Sequence, residues 1–92
     1  MKSAYELAME RLEQQAPTQK LSDAQKAQIA EIESLAKSRV AEKELFLGEQ
    51  IAKARAQGRY DEVASIEKQL VSELRRIQEE AEEKKERVRR QS

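Results

Sequence analysis

The chain has 92 residues, of which 18 are basic and 18 acidic, so its formal net charge is zero. It contains neither cysteine nor histidine, which leaves no disulfide, no thiolate nucleophile, no imidazole base and neither usual ligand of a structural zinc ion. This composition predicts one small, charge-rich helical domain that is not an enzyme and needs no cofactor or metal.

The first predicted element, residues 1–16, is a short amphipathic helix. Ser3 and Glu6 have the spacing of a capping box, and Pro17 ends the helix before a linker at residues 17–21. The apolar side chains that fall on one helical face are Tyr5, Ala8, Met9 and Leu12. This face must be covered, either by the following hairpin of the same chain or by another chain.

Residues 22–91 are predicted to form an antiparallel helical hairpin with its turn at residues 58–60. Ser22 and Gln25 form a second capping box, and Gly58 suits the left-handed backbone that ends many helices. Apolar residues step 3, 4, 4 on both sides of the turn, at Ile29, Ile32, Ala36, Val40, Leu47, Ile51 and Ala54, and at Val63, Ile66, Leu70, Leu74, Ile77, Ala81 and Val88. An eleven-residue period predicts a hendecad-like coiled coil that is straight or gently right-handed.

Lys43 and Lys85 interrupt the two stripes at positions that the period assigns to the contact. One interpretation is that their aliphatic stems pack while their ammonium groups reach solvent. The alternative is that each lysine pairs with a carboxylate and fixes the register of the hairpin.

The segment beyond Ile77 carries few apolar residues and many charges. We predict a charge-paired helix that stands in solvent beyond the bundle and frays after Arg90. Its basic residues are Lys84, Lys85, Arg87, Arg89 and Arg90. Acids at 79, 80, 82 and 83 precede them, and no aromatic residue lies nearby to stack on bases, so nucleic acid is an unfavoured partner.

A second apolar face is predicted on the middle helix. Ala24, Leu35 and Phe46 are eleven residues apart, and Leu45 widens the apolar surface at one level. One partner helix cannot cover this face as well as the hairpin contact. We therefore predict a homodimer, assembled as an antiparallel four-helix bundle, with Leu35, Leu45, Phe46, Tyr5, Met9 and Leu12 as the interaction residues.

Residues 54–70 resemble the UVR motif of bacterial excision-repair proteins, a helical hairpin that recognises a matching hairpin on a partner. Tyr60 matches the turn aromatic of that motif, Asp61 its acid, Val63 and Ala64 its paired small residues, and Ile66 and Leu70 its apolar positions. From packing alone we expect the Tyr60 ring to lie against the turn. The whole chain also resembles the short, charge-rich helical-hairpin proteins that are common in bacterial genomes.

These observations favour a non-enzymatic interaction or scaffold module that self-associates and binds a protein partner. No apolar run reaches the roughly 18 residues of a membrane span, so we expect a cytoplasmic protein without a membrane partner. The alternative is a regulatory or nucleic-acid-associated protein that uses the basic C-terminal end.

Overall fold

A computed structural model describes residues 3–15 and 21–91, with side chains for residues 3–10 and 21–91. Its elements are α1 (Ala4–Gln15), α2 (Asp23–Ala56) and α3 (Tyr60–Arg90). No strand occurs among the described residues, so the predicted all-α class is confirmed. Leu12 belongs to α1, but its side chain lies outside the described residues. Residues 16–20 also lie outside them; they comprise the end of the predicted first helix and most of the predicted linker.

Local hydrogen bonds explain where α2 begins. The Ser22 hydroxyl accepts a hydrogen bond from the Gln25 amide at 3.1 Å, and the Gln25 side-chain oxygen accepts one from the Ser22 amide at 2.8 Å. The predicted capping box is therefore complete, and Asp23 adds negative charge at the positive end of the helix dipole. At α1, the Glu6 amide likewise donates to the Ser3 hydroxyl at 3.2 Å.

The turn after α2 is built by glycine. Gly58 has a φ of 72°, a left-handed conformation that costs a residue with a side chain extra energy. The Arg59 amide donates to the Ala54 carbonyl at 2.9 Å, and the Gly58 amide donates to the Arg55 carbonyl at 3.1 Å. This pair of bonds is a Schellman motif, which satisfies carbonyls that the end of a helix leaves free.

Contacts between α2 and α3 show that the two helices run in opposite directions. Near the turn, Arg55 pairs with Glu67; further along, Arg39 pairs with Glu80. At the far end, the Gln25 side chain donates to the Val88 carbonyl. From the turn to the far end, the residue numbers of these contacts decrease along α2 and increase along α3. The predicted antiparallel hairpin is therefore confirmed.

The hairpin contact, which we call the seam, consists of the residues that step 3, 4, 4 along α2 and α3, from Ile29 to Ala54 and from Val63 to Val88. All of them, including Lys43 and Lys85, are buried or half-buried. Leu47 and Ile77 are among the most enclosed, with 1% and 4% of their surface exposed. Burial of these apolar side chains provides the main driving force for closing the hairpin.

The prediction that the segment beyond Ile77 stands in solvent is wrong in one respect. The segment is helical to Arg90 and rich in ion pairs, but Ala81 and Val88 are buried, with 6% and 7% of their surface exposed. The reason is that α2 reaches back as far as Asp23 and lies beside α3 over its full length. The tail is therefore part of the hairpin and does not extend beyond it.

Candidate interaction surfaces

Lys85 lies in the seam but points its ammonium group at two carboxylates. Its Nζ atom is 3.2 Å from Glu33 on α2 and 3.3 Å from Glu82 on α3, and 13% of its side chain is exposed. The hydrogen bond to Glu33 is the largest of the influences that raise the pKa of Lys85 above its ordinary value, and Glu82 adds to it. Of the two interpretations for this lysine, carboxylate pairing across the helices is the one observed.

Lys43, which lies closer to the turn, pairs more loosely. Its Nζ atom lies 3.7 Å from an oxygen of Glu73, and 43% of the lysine side chain is exposed. That Glu73 oxygen is enclosed and accepts no hydrogen bond from any described residue. Lys43 and Lys85 thus each face one carboxylate of the opposite helix, Glu73 and Glu33, and Lys85 also donates a hydrogen bond to Glu82 of its own helix.

Arg39, Glu80 and Arg76 form a charged cluster on one flank of the hairpin. Glu80 accepts hydrogen bonds at 3.3 Å from both arginines, one on each helix. The bond from Arg39, followed by the bond from Arg76, holds the pKa of the Glu80 carboxyl below its ordinary value. A shallow groove of about 140 Å³ runs between Leu35 and this cluster.

Gln25 joins the open ends of the two long helices, a role that the sequence analysis missed. Its side-chain amide donates to the Val88 carbonyl at 2.9 Å and also to the Gln91 carbonyl. One side chain therefore caps the start of α2 and the end of α3. The sequence feature that could have indicated this role is the position of Gln25, four residues before Ile29 and therefore on the same side of α2 as the seam.

The predicted second face of α2 is exposed in the single chain. Leu35 and Phe46 each have 59% of their surface exposed, and Leu45 has 67%. α3 keeps most of its apolar residues on one side, with Tyr60 and Val71 exposed at 68% and 57%, whereas those of α2 lie on more than one side. The exposed apolar surface of the hairpin is therefore concentrated on α2.

Within the described residues, α1 packs against neither α2 nor α3. Tyr5 and Met9 have 74% and 42% of their surface exposed, and Leu7 has 50%. The structure does not bring Tyr5 or Met9 to the Leu35 and Phe46 side chains. Docking of α1 on that face of its own chain is not observed in the part of the chain that is described.

Tyr60, which was expected to lie against the turn, is largely exposed there. It is the first residue of α3 and has 68% of its surface exposed, whereas Val63, one turn later, is buried. The ring stands beside Asp61 and Glu62 at the closed end of the hairpin. The aromatic residue on which the UVR resemblance depends is accessible there.

Ion pairs occupy much of the basic C-terminal end. Arg89 and Arg90 both lie within 3.7 Å of Glu86, and Lys85 is held by Glu33 and Glu82. Paired cations release fewer counterions when a polyanion approaches. This arrangement gives no support to a phosphate-binding surface.

No family model, curated protein or solved structure matches this chain. Among the described residues, no helix is both long enough and apolar enough to cross a bilayer. The same residues hold no group of three or more acids placed to bind a metal ion.

Proposed function

We propose that this chain is a non-enzymatic helical interaction module that self-associates through the exposed face of α2 and serves as a scaffold or adaptor. The supporting observation is the exposure of Leu35, Leu45 and Phe46 on a helix that α3 already covers on another side. Large apolar side chains gathered on one part of a small protein mark an interaction site. The packing of α2 against α3 supports that face.

The proposal also includes a protein partner, for which the closed end of the hairpin is the favoured site. Tyr60 is exposed there next to two carboxylates. Exposed aromatic side chains contribute strongly to protein interfaces. Self-association through α2 leaves this end accessible.

Replacing Phe46 by Glu should dissociate the oligomer while leaving helicity nearly unchanged, because the side chain is exposed in the folded chain but buried in the proposed contact. Replacing Leu70 by Glu should unfold both long helices, since Leu70 lies in the seam. Sedimentation equilibrium over a concentration series measures the first effect, and far-ultraviolet circular dichroism measures the second.

Val71→Glu is the matched control, because Val71 is as exposed as Phe46 but lies on α3. It should change neither the mass nor the helicity. A wild-type mass that stays monomeric at every concentration contradicts the proposed function. A Phe46→Glu variant that associates as the wild type does places the interface elsewhere.

A further inference from the structure

The exposed side chains of α2 include a stripe with its own regular spacing. Leu35 and Phe46 are eleven residues apart, and between them on the same side of the helix lie Arg39 and Glu42. The steps from Leu35 are 4, 3 and 4, which keep all four side chains within one stripe about 100° from the seam. All four are exposed, and we call them the α2 face.

This face is complementary to itself when one copy is turned end to end. Consider an antiparallel pair whose two-fold axis passes between Val40 and Ala41. Each residue of one copy then faces the residue of the second copy for which the two residue numbers add up to 81. Leu35 then faces Phe46 of the second copy, and Arg39 faces Glu42 of the second copy. Two-fold symmetry produces each of these contacts twice.

Charges further out on α2 contribute less to the orientation than the central pair does. Glu31 and Lys53 lie on the stripe beyond Leu35 and Phe46, near opposite ends of α2. In the antiparallel pair, Glu31 of one copy comes within one helical turn of Lys53 of the other, a separation along the axis of about 4.5 Å. Glu49 lies on the same side of α2 and comes even closer to Glu31 of the other copy, about 1.5 Å along the axis, so the charges at the ends partly cancel. The opposite charges of Arg39 and Glu42 at the centre decide the orientation.

A parallel pair of α2 helices would bring Arg39 against Arg39 and Glu42 against Glu42. Like charges that face each other across an interface disfavour it. The pattern of the α2 face therefore selects the antiparallel orientation as well as the second copy as its occupant.

The neighbouring charged cluster is compatible with this contact. Arg39 already donates to Glu80 of its own chain at 3.3 Å, yet half of its side chain remains exposed. A guanidinium group has five N–H donors, so it can serve Glu80 and a second carboxylate together. Contact with another copy extends the existing network without breaking it.

We infer that two copies of this chain associate through an isologous antiparallel contact of their α2 helices, an inference that rests on the proposed function. In this contact Leu35 packs on Phe46 of the other copy, and Arg39 pairs with Glu42 of the other copy. The contact involves one helix from each copy, so it is smaller than an obligate interface and depends on concentration.

Charge exchange at the centre tests this pairing. Arg39→Glu places a new carboxylate against Glu42 of the second copy, and Glu42→Arg places two guanidinium groups together. Each single variant should weaken its own dimer about tenfold or more. An equimolar mixture of the two variants should form heterodimers, because every central contact in the mixed pair joins opposite charges. The double variant Arg39→Glu/Glu42→Arg should dimerise as the wild type does.

Sedimentation equilibrium measures the homodimers, and native mass spectrometry resolves the heterodimer from its two parents. Glu44→Arg is the control, since it makes the same charge change as Glu42→Arg about 200° away around α2 and should leave the dimer unchanged. The double variant also lacks the Arg39–Glu80 pair, so its recovery shows that loss of that pair is not the cause of dissociation in Arg39→Glu.

A wild-type dimer with unaffected single variants overturns this pairing and leaves the proposed function standing. Weakened single variants without heterodimer formation or recovery in the double variant also overturn it. A wild type that remains a monomer overturns both proposals.

Discussion

At Gly58 the backbone has a φ of 72°, whereas Gly48 lies within α2. A Cβ atom added at either position would meet no atom within 4 Å. The two glycines therefore differ in backbone conformation and not in available space. This makes them a matched pair for separating the two ways in which glycine affects stability.

Gly58→Ala should lower the free energy of unfolding by about 1 kcal/mol or more, because the left-handed conformation is strained for alanine. Gly48→Ala should raise it by up to about 1 kcal/mol, because alanine restricts the unfolded chain and favours helix. Urea unfolding at one fixed protein concentration measures both changes. If both substitutions shift stability in the same direction, the assignment of Gly58 as the residue that shapes the turn is wrong.

Between elements, the ion pair of Lys85 with Glu33 joins α3 to α2 and has a defined pH dependence. The pKa of Lys85 is raised in the folded chain, so its stabilising effect is fully present below the ordinary lysine value of 10.5. The effect is lost as the pH rises through the raised value. Glu80 behaves in the opposite way: its lowered pKa gives stability that is lost as the pH falls through that value.

Glu33→Gln should lower the urea midpoint at neutral pH, and the difference from wild type should shrink as the pH rises above 10.5. The reason is that deprotonated Lys85 no longer gains from Glu33. Comparing variant with wild type at each pH cancels the titration of the other lysines. A difference that stays constant through the alkaline range contradicts the assigned pairing. Glu44→Gln, an exposed acid on another side of α2, serves as the control.

At the scale of the whole molecule, the hairpin and α1 behave as separate parts in the described residues. Removing residues 1–20 should therefore leave the free energy of unfolding within about 0.5 kcal/mol of the full chain. The mass at high concentration should still be that of a dimer, since the α2 face is retained. Urea unfolding and sedimentation equilibrium check the two expectations.

A loss of more than about 1 kcal/mol on truncation would show that α1 supports the hairpin. A gain in association would show instead that α1 covers the α2 face in solution. Either result would answer whether the apolar side of α1, with Tyr5 and Met9 exposed, is used within its own chain.

The helices, their ends and the seam could be predicted from the sequence. These features follow from local rules: Ser22 and Gln25 cap α2, Gly58 permits the turn, and a step of 3, 4, 4 places Leu47 and Ile77 on the covered sides. The exposed residues Leu35, Leu45 and Phe46 could be selected in the same way, because one neighbouring helix covers only one side of α2.

The pairs of residues that meet across the seam could be read only from the packed helices. A repeated period leaves the axial shift between two helices open, so it cannot say that Lys85 faces Glu33 or that Arg39 faces Glu80. The same shift determines that Val88 is buried and that Gln25 reaches the carbonyls at the end of α3. Local spacing determines which side of a helix is covered, whereas the relative position of the two helices along their axes determines the partner of each side chain.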